Sequence, residues 1–266
     1  MSRVAAIGLL TGWGEGVAAL PEDAAVAAAG QEVVELPRPA VTGERFRRAT
    51  RECLLGVASV EAMLRDAALR TSDIAGPDTA LVYVTAAAYG AANRSFIDAK
   101  AGATLHFPYT APSAVPAEVA IEFSLRGPYL ILIGGAAATL DGLWSADRLL
   151  AQGRCARALV LAVETFAECA DLYARARWLA PRPLVEAAAC ALLVRDDVRS
   201  ARGTARAPSG LDAEATRRAG STLACGPLVA AALARAGGDE HPAVTGQWRG
   251  RRARLASDAC DHARAG

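Results

Sequence analysis

No CxxC pair and no cluster of cysteine with histidine occurs in this sequence. The six cysteines, Cys53, Cys155, Cys169, Cys190, Cys225 and Cys260, lie far apart, so neither a zinc site nor a disulfide framework is expected, and no cofactor is called for. Lysine is almost missing. Lys100 is the only one, and arginine supplies the rest of the positive charge. The 29 basic residues are balanced by 28 acidic ones, a net charge of +1, so no overall field draws the chain to nucleic acid or an anionic membrane. No window reaches the ~18 apolar residues that a membrane span needs. The opening MSRVAAIGLLTGWGEG is interrupted by glycines and lacks a signal-peptide cleavage pattern. A soluble, cytoplasmic protein is the expectation.

What is there is a chain of 266 residues, 53% hydrophobic, long enough to bury one large α/β core or two small ones. Val4 to Leu10 reads as a buried strand closed by Gly12, Gly14 and Gly16. Phe46 to Leu69 carries Cys53, Val57, Val60 and Leu64 at helical spacing, which predicts an amphipathic helix. Thr79 to Val84 predicts a second strand, followed by a loop around Tyr89, Gly90 and Asn93. A short helix is expected around Pro116 to Phe123, with the proline in its first turn. Tyr129 to Ile133 is the most apolar strand-like run, and it meets a helical stretch, Ala136 to Gln152, across Gly134-Gly135. On that helix Leu140, Leu143, Trp144 and Leu149 read as core. Further strands are expected at Ala158 to Val163 and Cys190 to Val194, and the alternation argues for a mostly parallel, helix-covered sheet. Ser200 to Ala219 reads as a linker or surface excursion, Leu223 to Ala236 as a helix, Ala243 to Gly250 as a final edge strand, and Ser257 to Gly266 as a frayed tail.

A strand ending in glycines and running straight into a buried helix is the geometry that places a nucleophile at a helix N-terminus, where free N–H groups depress a thiol's pKa. The residues in that frame are Gly134, Gly135, Ala136, Ala137, Ala138 and Thr139. None carries a thiol, and without a side-chain nucleophile no acyl-enzyme forms there.

RVAAIGLLTGWGEG (Arg3 to Gly16) and the run from Val119 to Thr165 resemble the opening strand and central region of the β-ketoacyl-acyl-carrier-protein synthases. The likeness covers most of Met1 to Asp196. Counted from Gly127-Pro128, the family's active-site cysteine falls on Ala136. LVEAAACALLV (Leu184 to Val194) is similar to the strand around the family's Gly-Glu-Gly-Ala stretch, with Glu186 retained and both glycines gone. The family's His-Gly-Thr-Gly-Thr loop has no counterpart, and in AGSTLACGPLVAAALA (Ala219 to Ala234) Ser221 stands where the second histidine would be. Those histidines drive decarboxylation and stabilise developing charge.

The resemblance implies an α/β thiolase-like layered fold. Residues 1–196 would form a ketosynthase N-terminal-like region, and residues 197–266 a shortened C-terminal region packed on the same domain. It implies no catalytic residues and a role like that of the chain-length factors, as in type II polyketide, fatty-acid-like or aryl-polyene systems. The implied partners are a catalytic ketosynthase and an acyl carrier protein. The dimer, heterodimeric by preference, would form across a strand carrying Tyr129, Ile131 and Ile133, with His106, Phe107 and Tyr109 facing the pocket or the partner. Two other readings stand beside it. One is an enzyme of different chemistry on acyl thioesters, a hydrolase or acyltransferase using Cys169, Ser221 or His106; the other is a homodimeric acyl-binding scaffold. Arg45, Arg47, Arg48 and Arg51 could attract an acidic carrier protein, but with Glu44 and Glu52 beside them they read first as a solvated helix face. The glycines at 12, 14 and 16 lack the helix entry and ribose-binding acid of a dinucleotide loop.

Overall fold

The computed structural model describes residues 2–99, 103–171, 183–195, 210–239, 244–248, 251–256 and 259–264. The first half runs β1 (Ser2–Thr11), β2 (Gly14–Glu15), α1 (Ala24–Ala27), β3 (Val33–Val34), α2 (Arg51–Asp66), α3 (Thr71–Ile74), β4 (Thr79–Thr85), α4 (Gly90–Asp98) and α5 (Ala114–Glu122). It continues through β5 (Tyr129–Ile133), α6 (Ala136–Ala151), β6 (Arg157–Glu164), β7 (Leu184–Val185) and β8 (Ala187–Arg195). Then follow α7 (Leu211–Ala219), α8 (Gly226–Ala236), β9 (Val244–Trp248), β10 (Arg251–Ala256) and β11 (Ala259–Arg264).

The main sheet has six strands in the order β2-β1-β8-β6-β4-β5. β4 pairs with β5 and β6 in parallel, whereas β8 pairs antiparallel with both β6 and β1. The expected mostly parallel ladder therefore holds only across β6, β4 and β5. A strand buried on both faces is apolar throughout, and such a run carries no sign of its direction. All seven residues of β4 are buried, and so are seven of the eight in β6. Their alternate side chains feed two cores. Val82, Val84, Val160 and Ala162 join α6 and α8 on one face; Leu81, Tyr83, Leu159 and Leu161 join α2 and α5 on the other.

Five other expectations need correction. Phe46 sits in a 3-10 turn, Glu44–Arg48, and Ala49 and Thr50 are extended, so the helix begins only at Arg51. It ends at Asp66, and Ala68 at φ 51 turns the chain away. The loop at Gly90 and Asn93 is the helix α4, pinned where the Asn93 amide donates to the carbonyls of Tyr89 and Thr110. The excursion contains α7, whose only buried residues are Ala215 and Ala219; alanine gives a helix face too little contrast to be read as periodicity. Ala243 to Gly250 is not the last strand, because β10 and β11 follow and pair antiparallel as a three-stranded sheet with β9. Trp144 is 43% exposed, unlike Leu140 and Leu143, which are buried.

Candidate functional site at the strand–helix elbow

β5 ends at Ile133; the N–H of Gly134, which follows it, donates to the Thr85 carbonyl at 2.9 Å, and Gly135 caps α6 without a side-chain bond. Ala136 opens the helix, partly exposed, and Ala137 is buried behind it. α6 lies close to the sheet because Gly142 lacks a side chain; a Cβ there would stand 3.2 Å from Val84 and 3.3 Å from Val82. Acidic residues are absent from the first turn of α6.

Ser221 is buried and its backbone bridges β7. Its N–H donates to the Pro183 carbonyl at 2.9 Å and its carbonyl accepts from Val185 N–H at 3.0 Å. Gly220, at φ 79, admits the chain past Val185, whose Cγ2 would lie 2.6 Å from any Cβ at that position. The Ser221 and Ala136 regions are neighbours. Thr139, one turn into α6, donates its hydroxyl to the Ala224 carbonyl at 2.6 Å. The Ala224 N–H in turn donates to Glu164 at 3.2 Å.

Glu164, at the end of β6, is wholly buried and knots three segments together. Its carboxylate accepts from Ala86 N–H at 2.7 Å and Ala87 N–H at 2.9 Å beyond β4, as well as from Ala224. Burial outweighs those donors and pushes its pKa up to about 8. Sequence reasoning passed over this residue, although a single acid closing the apolar run ALVLAV was a legible signal.

Glu186, the retained acid, holds the frame. It accepts from Leu36 N–H at 2.8 Å, Phe166 N–H at 2.6 Å and Ala167 N–H at 2.8 Å. Arg51 grips it with two bonds, at 2.6 and 2.8 Å, and also holds Glu168 at 2.7 Å. Arg51 is thus no part of a solvated cluster, and Arg45 is paired with Glu118 and Glu122. Glu52 does not neutralise the surface either, being 3% exposed.

The other expected residues lie elsewhere. Tyr109 packs with the α2 and α5 core, whereas Ala137 and Ala138 belong to the α6 and α8 core on the opposite face. Phe107 is 60% exposed, with its ring 5.6 Å from that of Phe96; the His106 side chain lies outside the described residues. Cys169 is buried beside Gly90. Burial raises its pKa against the lowering effect of the nearby Arg94, so the inert thiol is favoured. Tyr129, Ile131 and Ile133 share one side of β5, which among the described residues is an edge strand paired with β4 alone.

The model of the β-ketoacyl synthase N-terminal domain matches residues 31–185, more than half of the chain. The chain belongs to the β-ketoacyl synthase family. No curated protein matches it by sequence. Among solved structures it is similar to the ishigamide ketosynthase/chain length factor, at 18% identity and a TM-score of 0.57, over 88% of this chain and 81% of that one. A β-ketoacyl synthase from Burkholderia phymatum gives 13% identity and a TM-score of 0.58, over 82% and 69%. A type II PKS acyl-carrier protein in complex with its ketosynthase gives 15% and 0.56, over 73% and 62%. At such identities these likenesses speak for the thiolase-like fold alone. Within the described residues, no helix of this ketosynthase-like chain is long and apolar enough to cross a membrane.

Proposed function

We propose that this chain is a non-catalytic, chain-length-factor-like subunit that pairs with a catalytic ketosynthase in polyketide or fatty-acid-like biosynthesis, aryl-polyene assembly included. The observation that carries the reading is the pairing of two emptied positions. Ala136 stands at the nucleophile elbow and Ser221 near the segment that Thr139 bonds to, so the place where a cysteine and a histidine would cooperate offers neither. An acyl-enzyme needs the first and decarboxylation the second.

On this reading residues 1–196 carry the ketosynthase-like frame, and residues 197–266 are a shortened C-terminal region packed on the same domain. The β5 edge, with Tyr129, Ile131 and Ile133, receives the partner, and the loop carrying His106, Phe107 and Tyr109 serves the pocket or the partner. The acyl carrier protein is served by the pair, in the cytoplasm. A solved relative described as a ketosynthase/chain length factor, and another as a carrier protein in complex with its ketosynthase, support the choice of partners.

The test is co-expression with a catalytic ketosynthase from the same gene neighbourhood. Condensation should require both chains and the partner's active-site cysteine, and intact-mass analysis should find no acyl adduct on the peptide spanning 133–140. Restoring a thiol alone, Ala136→Cys, should give no condensation, since groups that act as a unit are not restored singly. Chain extension by this subunit alone, or an adduct within 133–140, refutes the reading.

A further inference from the structure

We infer that β9 is a built-in plug on the elbow, seated on residue 136 so that it hinders the approach of an acyl thioester to that position in this subunit. Three contacts along three successive residues carry the inference. The Val244 side chain is 2% exposed and enters the α6 and α8 core. The Thr245 N–H donates to the Asp212 carboxylate of α7 at 3.3 Å. Gly246 rests directly on the first residue of α6: a Cβ built on it would lie 2.9 Å from both the carbonyl carbon and oxygen of Ala136 and 3.1 Å from its Cβ.

The fit is reciprocal. Backbone can approach backbone this closely only where one partner lacks a side chain, and the position it faces carries a single methyl group. An acyl thioester must come within bonding distance of residue 136 to be transferred, and β9 occupies one side of that approach. The small residue at the elbow therefore serves a structural purpose, as the socket for the chain's own C-terminal sheet. The inference rests on the non-catalytic reading in one respect: the acyl chain handled by the pair is held in the partner.

Ala136→Cys in the otherwise unaltered chain supplies a reporter, with Glu61→Cys on the exposed face of α2 as the reference. The five described native cysteines are buried, and peptide mapping separates every label. A thiol at the start of a helix is activated by the free N–H groups, so an open elbow would react with iodoacetamide at least as fast as position 61. We expect labelling at 136 to be tenfold or more slower. Adding Asp212→Ala, which removes the acceptor of the Thr245 N–H, should speed labelling at 136 severalfold and leave position 61 unchanged. Labelling at 136 as fast as at 61, or no response to Asp212→Ala, overturns the plug. If Ala136→Cys proves unstable, Gly246→Ala is read instead by limited proteolysis, which should release the C-terminal sheet; an unchanged digest overturns the inference. A failed plug leaves the non-catalytic reading standing, because labelling does not report condensation. A ketosynthase that ignores this chain removes that reading and leaves the plug intact.

Discussion

Glu186 and Glu164 are both fully buried, yet their surroundings drive them in opposite directions with pH. Burial alone would raise Glu186, but the Arg51 bonds and the N–H groups of Ala167 and Phe166 overcome it and hold the carboxyl below its usual 4.5. Its contribution is present above that value and is lost as pH falls further. Glu164 has backbone donors but, among the described residues, no cation, and burial wins, lifting it to about 8. A folded-state pKa above the unfolded one means that the native chain holds the proton more tightly. The contribution of Glu164 is therefore full below about 4.5 and lost as pH rises towards 8. Glu164→Gln, which cannot ionise, should flatten the fall in melting temperature between pH 5 and pH 8. A slope as steep in the variant as in the wild type would mean that the three N–H donors hold Glu164 ionised.

At the scale of elements, the closest join is between β1 and α2, where Gly8 meets the helix backbone. A Cβ there would lie 2.2 Å from the Ser59 carbonyl oxygen and 2.3 Å from the Met63 nitrogen. Backbone on both sides cannot yield, so Gly8→Ala should cost roughly 3 kcal/mol or more in a urea melt. Gly90→Ala, whose Cβ would find only an ordinary 3.8 Å contact with Cys169, is the control and should change stability by less than about 1 kcal/mol. Equal effects would contradict the close packing. The central strands β4 and β6 were legible because burial on both faces leaves long apolar runs, and β5 was legible from its unbroken YLILI although no residue of it is fully buried. The elbow was legible from two glycines between a strand and a helix. Illegible were features made by distant residues: the antiparallel insertion of β8, the Arg51–Glu186 grip across 135 positions, and the seating of Gly246 on Ala136. No local pattern encodes a contact whose two halves are 110 residues apart.

At the scale of the molecule, the sheet has one conspicuous unfinished side. Leu81 N–H donates to the Pro128 carbonyl and Gly134 N–H to the Thr85 carbonyl, so β4 takes the backbone groups on even positions of β5. By strand alternation, those of Tyr129, Ile131 and Ile133 point away from β4. Tyr129 and Ile133 are 47% and 53% exposed. Free backbone groups beside apolar side chains form a template for another strand, and natural proteins seldom leave one uncovered. Antiparallel pairing centred on Ile131 would satisfy the three outward residues at once, while Arg126, exposed just before the strand and without an ion pair among the described residues, favours a partner bearing acids there. Ile133→Arg tests the edge cleanly because its side chain is already half in solvent. The variant should melt like the wild type when alone, yet lose co-purification with the ketosynthase, since a cation would be trapped in the joint. Undiminished co-purification would show that the partner binds elsewhere. A wild-type homodimer that Ile133→Arg dissolves would assign the edge to a second copy of this chain instead.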